Sequence, residues 1–268
     1  MIKLNGKKID INHFPDGTML LKESVEYGEG FCRVVWLYEN NEELTALIFL
    51  KKHLERLGFK HIELFMPYIP NARQDRVKSR EDVFTLKYFS DVINWLGFEI
   101  VKVTDPHSSV SEALINNLRI FDADMMIRTV VSELHKKSDE PLLAFYPDEG
   151  AMKRYSAKTQ LPYAFGIKQR DWSTGQIKGL EVSGMVEKIP NSRLLIIDDI
   201  CSRGGTFYHS AKKLKELGAK EIYLYITHCE NTILEGELLN SGLIEKVYTT
   251  DSIFTKSHDK IEIVHSWR

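Results

Sequence analysis

Cysteine is scarce: three residues, Cys32, Cys201 and Cys229, are scattered over 268 positions. That number and spacing exclude a disulfide framework and a structural zinc site, and they fit a reducing cytoplasm. Charge of one sign is equally lacking. Lysine and arginine total 36 against 38 acids, a net charge of -2, so no global field draws the chain to nucleic acid or to an anionic membrane. Any phosphate chemistry must come from local clusters. No stretch approaches the roughly 18 apolar residues of a membrane span, and residues 1–14 carry charges every few positions. A soluble, unprocessed, cytoplasmic chain is expected. Short fixed repeats and low-complexity tracts are also missing. So are Gly-x4-Gly-Lys-Ser/Thr and Gly-x-Gly-x-x-Gly after a strand, which leaves a P-loop enzyme and a dinucleotide-binding domain without support.

What is present is an alternation of two periods. Leu47, Leu50, Leu54 and Leu57 make one helical stripe ending at Gly58, followed by a strand over 61–68. Leu86, Phe89, Ile93 and Leu96 make a second stripe closed by Gly97, before a β-branched strand over 99–105. Further strands are expected over 142–148, 193–199, 221–228 and 245–251, with a helix ending near Gly218 and a short one over 233–239. Alternating strands and helices predict an α/β fold with parallel sheets covered on both faces. In such sheets ligands bind beyond the carboxyl ends of the strands, and here those ends carry acids, His or Gly.

The most informative segment is 194–207, LLIIDDICSRGGTF. A buried strand, the acids Asp198 and Asp199, a loop of Ser202, Arg203, Gly204, Gly205 and Thr206, and a helix start follow one another. Backbone N–H groups and the helix dipole can hold a phosphate there, while the carboxylates accept hydrogen bonds from a diol or attract a metal ion. A phosphorylated sugar satisfies both halves. A second segment, 66–82, places Arg73, Gln74 and Arg76 just past a strand end, where guanidinium forks can bind phosphate oxygens in pairs.

The 198–206 loop resembles the ribose-phosphate signature of phosphoribosyltransferases and ribose-phosphate pyrophosphokinases, in which two acids contact the ribose 2- and 3-hydroxyls and the loop clasps the 5-phosphate. Ala72-Arg73-Gln74-Asp75-Arg76 resembles the ATP-binding signature of the pyrophosphokinase family, which simple phosphoribosyltransferases lack. Other segments follow in that family's order. Phe14-Pro15-Asp16-Gly17 is similar to its N-terminal loop, which reaches an adenine in a neighbouring subunit. Asp105-Pro106-His107 and Tyr146-Pro147-Asp148-Glu149-Gly150 are similar to its metal-associated segments, Lys168-Gln169-Arg170 to the start of its mobile catalytic loop, and Ile226-Thr227-His228 to a late strand end. Three departures stand out: Ser202-Arg203 replaces the family's Asp-Thr, Thr18 replaces a Glu, and the chain is several dozen residues shorter.

The resemblance implies two phosphoribosyltransferase-type (type I) domains with the active site between them, and assembly as a dimer or hexamer. We place an ATP-binding domain at 1–125, with 254–268 a candidate for returning to it, and a ribose-phosphate-binding domain at 126–253. The implied reaction is attack of a ribose C1 hydroxyl on the β-phosphorus of ATP, with AMP leaving. Phe14, Asp16, Arg73, Gln74 and Arg76 would hold ATP, His107 and Asp148 would bind Mg2+, and Lys168 and Arg170 would be catalytic. Asp198, Asp199 and residues 202–206 would hold the acceptor. Ribose 5-phosphate and ADP-ribose both stand as acceptors, because Arg203 adds a fork suited to a second phosphate; the latter would give ADP-ribose pyrophosphate for NAD resynthesis. A salvage phosphoribosyltransferase and a catalytically silent regulator on this fold stay open.

Overall fold

The computed structural model describes residues 1–23, 30–170 and 177–265, the side chains of 168–170 and 177–179 apart. Two compact units divide the chain, Met1–Asp122 and Ala123–Arg268.

In the first unit the elements are β1 (Ile2–Leu4), β2 (Lys7–Ile9), β3 (Ile11–His13), β4 (Met19–Leu21), β5 (Phe31–Trp36), α1 (Glu42–Arg56), β6 (His61–Phe65), α2 (Thr85–Leu96), β7 (Ile100–Thr104), α3 (Val110–Leu114) and β8 (Leu118–Phe121). One sheet has the order β2-β1-β5-β6-β7-β8, parallel from β5 onward, and β3 and β4 form a separate hairpin. The α2 stripe forms as its spacing predicts: Leu86, Phe89, Ile93 and Leu96 are all buried, and Gly97 ends the helix at φ 65°. Each such buried side chain contributes about 1.5–3 kcal/mol.

The strand order decides where the helices lie. From β5 to β8 the chain steps in one direction, so right-handed crossovers put α1, α2 and α3 on the same side. The core agrees, joining Val34, Leu64, Val101 and Val103 to Leu47, Leu86 and Ile93. The opposite face carries Glu63 between Arg33 (2.9 Å) and Lys102 (2.6 Å), with Phe31 and Phe121 about half exposed. The expectation of helices on both faces is therefore corrected for this unit.

The second unit comprises α4 (Asp124–Lys137), β9 (Leu142–Tyr146), α5 (Glu149–Thr159), β10 (Tyr163–Arg170), β11 (Ile177–Gly184), β12 (Arg193–Cys201), α6 (Gly205–Glu216), β13 (Glu221–Cys229), β14 (Lys246–Thr249) and β15 (Ile261–Ile263). Its sheet runs β11-β10-β9-β12-β13-β14-β15 and is parallel except for the β10–β11 hairpin. Here the chain steps from β9 to one side and later returns to the other. One core cluster accordingly lies against α4 and α5, and another against α6. The reversal falls between β9 and β12, where open α/β sheets bind ligands.

Three further expectations are corrected. The final segment does not return to the first unit: β15 pairs with β14 through Val247↔Ile261 and Thr249↔Ile263, and its isoleucines pack on the α6-side core. That pairing covers a strand otherwise left as an open edge. In place of a helix over 233–239 there is a 3-10 turn, Asn231–Glu235, after which Gly236 is extended. Finally, β12 runs on to Cys201, so its two acids sit inside the strand rather than at its end.

Candidate active site

Leu195 and Ile197 face the α4–α5 core, whereas Leu194 and Ile196 face the α6 core. Asp199 projects toward α5, and its carboxyl lies beside that of Asp198. From α5, Arg154 Nη1 reaches Asp199 Oδ2 at 3.2 Å, and both side chains are largely buried. The Asp199 backbone N–H donates to Asp198 Oδ1 at 2.9 Å. Burial pushes the Asp198 carboxyl well above the usual carboxylate range, and the charges of Asp199 and Asp148 add to the push. Asp148 itself is the N-cap of α5, accepting from the Ala151 N–H at 3.1 Å.

Past β12 the chain turns through Ser202 and Arg203 into Gly204, whose φ of 80° is left-handed, and α6 begins at Gly205. The loop closes against the following turn. A Cβ on Gly236 would stand 1.9 Å from the Arg203 carbonyl oxygen, so only glycine allows this approach. Arg203 is exposed and pairs with Glu235 at 3.3 Å. Gly205 and Thr206 lie open at the helix start, where N–H groups lack intrahelical partners and favour an anion.

In the first unit, Arg73, Gln74 and Arg76 follow β6 and are exposed. Gln74 accepts from Thr85 Oγ1 at 2.8 Å. Arg76 donates Nε and Nη2 to both oxygens of buried Asp75, at 2.6 and 2.8 Å. That guanidinium holds the Asp75 carboxyl below the usual range, with Ser108 and His107, beyond β7, adding smaller contributions. The segments after β6 and β7 are thus brought together. His107 is half-buried. Phe14 and Asp16 form the exposed turn of the β3–β4 hairpin, in which Asp16 accepts from the Thr18 N–H (2.9 Å) and hydroxyl (2.7 Å). Those bonds lower the Asp16 carboxyl.

Lys168 and Arg170 lie on β10 by their backbone, and their side chains are outside the described residues. His228 is buried with Nδ1 against Ser252 Oγ at 2.8 Å, a structural setting. Sequence reasoning missed Asp75, Arg154 and Glu235. Asp75 stood within a quoted motif between two arginines, a usable signal, whereas Arg154 and Glu235 lie 45 and 32 residues from their partners. Two surface cavities, of about 790 Å³ along α4 and 600 Å³ between β4 and α1, include none of the candidate residues.

The fit of a divalent cation rests on donor chemistry. Among the described residues no group of three His, Cys, Asp or Glu could hold a metal. Mg2+ is typically held by one or two carboxylates, substrate phosphates and water, and the mutual repulsion of Asp148, Asp198 and Asp199 is what a cation would relieve. Asp148 fits.

Known proteins were compared with this arrangement. No family model matches the chain. It is 30% identical to a ribose-phosphate pyrophosphokinase of Mycoplasma pneumoniae, covering 90% of this chain and 75% of that one. Identity to one from Thermococcus kodakarensis is 27%, covering 92% and 86%. Among solved structures it is similar to the phosphoribosylpyrophosphate synthetase of Mycobacterium smegmatis, with a TM-score of 0.79 at 20% identity over 96% of this chain and 86% of that one. The fold is accordingly two phosphoribosyltransferase-type domains. With a relative 30% identical over 90% of this chain and 75% of its own length, the chain belongs to the ribose-phosphate pyrophosphokinase family of transferases.

Proposed function

We propose that the chain transfers the β,γ-diphosphate of ATP to the C1 hydroxyl of a 5-phosphorylated ribose, releasing AMP. The observation carrying this reading is the coexistence of the Arg73–Arg76 run after β6 with the acid pair and phosphate loop of β12 and α6. A phosphoribosyltransferase needs only the second. Phe14, Asp16, Arg73, Gln74 and Arg76 are assigned to ATP. Asp198 and Asp199 take the ribose hydroxyls, while Ser202, Arg203, Gly204, Gly205 and Thr206 take the 5-phosphate.

His107 and Asp148 would hold Mg2+, which would supply neutralisation of negative charge on the nucleotide's phosphates. Lys168 and Arg170 stabilise charge developing on the transferring group. The protein's share of such a reaction is positioning and charge neutralisation, because no covalent intermediate is required. Assembly as a homo-oligomer, dimer or hexamer, and a cytoplasmic location belong to the same reading. The exposed Phe31 and Phe121, on the face of the first sheet opposite α1, α2 and α3, support the former. No helix among the described residues is long and apolar enough to cross a membrane.

Ribose 5-phosphate is the acceptor that a backbone loop for one terminal phosphate suits. A second reading, ADP-ribose giving ADP-ribose pyrophosphate for NAD resynthesis, is favoured by Arg203, which stands exposed at the loop's outer edge. Its exposed ion pair with Glu235 has little stability of its own to set against a second phosphate. Equal concentrations of both acceptors with ATP and Mg2+ test the proposal: acceptor-dependent AMP is expected, and the product identifies the preferred acceptor. ADP as the stoichiometric product, or consumption of a pyrophosphorylated sugar with a base, overturns it. If ribose 5-phosphate prevails and Arg203→Thr leaves the preference unchanged, the ADP-ribose reading fails.

A further inference from the structure

Arg154 belongs to no motif read from the sequence, yet its guanidinium lies 3.2 Å from Asp199. It sits on the second turn of α5, the helix that Asp148 caps, and only about a quarter of its side chain is exposed. Its guanidinium crosses from α5 to Asp199 Oδ2 at 3.2 Å, at the sheet's reversal between β9 and β12. A charge pair this withdrawn from water is costly to break from one side, because the remaining charge stays buried.

We propose that Arg154 is a positioning residue for the acceptor sugar, holding Asp199 in the one orientation from which the acid pair can accept hydrogen bonds from the ribose diol. The inference rests on the reading of residues 198–206 as the acceptor site. The Asp199 backbone N–H also donates to Asp198 Oδ1 at 2.9 Å, so fixing Asp199 bears on both acids of the pair. The alternative is a purely structural tie between α5 and the sheet, like that of Arg193, buried and donating to the carbonyls of Leu134, Ser138 and Glu140.

The two roles separate in steady-state kinetics. The unaltered protein is assayed first for acceptor-dependent AMP, which tests the underlying reading by itself. Arg154→Ala should then raise KM for the acceptor by about tenfold or more, the loss of a charge-assisted hydrogen bond, with KM for ATP changed less than about threefold. Arg154→Lys should recover part of the loss. Combined with Asp199→Asn, Arg154→Ala should add little, since both act through one carboxylate. An unchanged acceptor KM, equal rises for both substrates, or full additivity in the double variant would overturn the inference. Should Arg154→Ala fail to fold, Arg154→Lys alone decides it by the same split between the two KM values.

Discussion

Asp198 and Asp199 are neighbours in sequence and in space, Asp198 accepting from the Asp199 backbone N–H and Asp199 tied to Arg154. Burial and the nearby charges of Asp199 and Asp148 make the ionised form of Asp198 a cost to the ligand-free protein. An acid whose folded pKa is raised binds its proton more tightly in the folded state, so the cost is present above that pKa and disappears as pH falls through it. Asp198→Asn should therefore raise the melting temperature of metal-free, ligand-free protein at neutral pH by about 2–4 °C, while weakening acceptor binding. The gain should vanish in scans at falling pH, down to about pH 4. A lower melting temperature at neutral pH, or a gain independent of pH, contradicts this electrostatic account. The two acids were legible in the sequence because a buried strand running into adjacent carboxylates is unusual. Arg154 was not, since only the fold brings residue 154 to residue 199.

At the scale of elements, α2 was read directly from its stripe and Gly97, because a helix bounded by both signals leaves little for tertiary structure to decide. The segment after β13 was misread. Ile233 and Leu239 suggested helical spacing, but Gly236 is extended there and its backbone lies on the Arg203 carbonyl. A contact between residues 203 and 236 leaves no local signal. It does leave a testable consequence. Gly236→Ala forces a Cβ against backbone, which cannot rotate away, and should cost about 1–3 kcal/mol in denaturant unfolding. Because the displaced group belongs to the Ser202–Thr206 loop, acceptor KM should rise as well. Wild-type stability and KM in this variant would show that the turn does not brace the loop.

For the whole molecule, the alternation of strands and helices gave the class of fold, but not the difference between its two units. Strand order alone produces that difference: steady progression in the first unit gathers the helices on one face, and reversal in the second covers both and opens the crevice at β9 and β12. Order depends on which strands pair, and the apolar patterns of parallel strands are too alike to specify it. The return of residues 254–268 to the first unit failed for the same reason. The central claim remains chemical, and isotopic labelling tests it most directly. With ATP labelled at the β-phosphorus, in the presence of Mg2+ and a 5-phosphorylated ribose, the account predicts that the label moves to the sugar product while unlabelled AMP accumulates in equal amount. Retention of the label in ADP would contradict it.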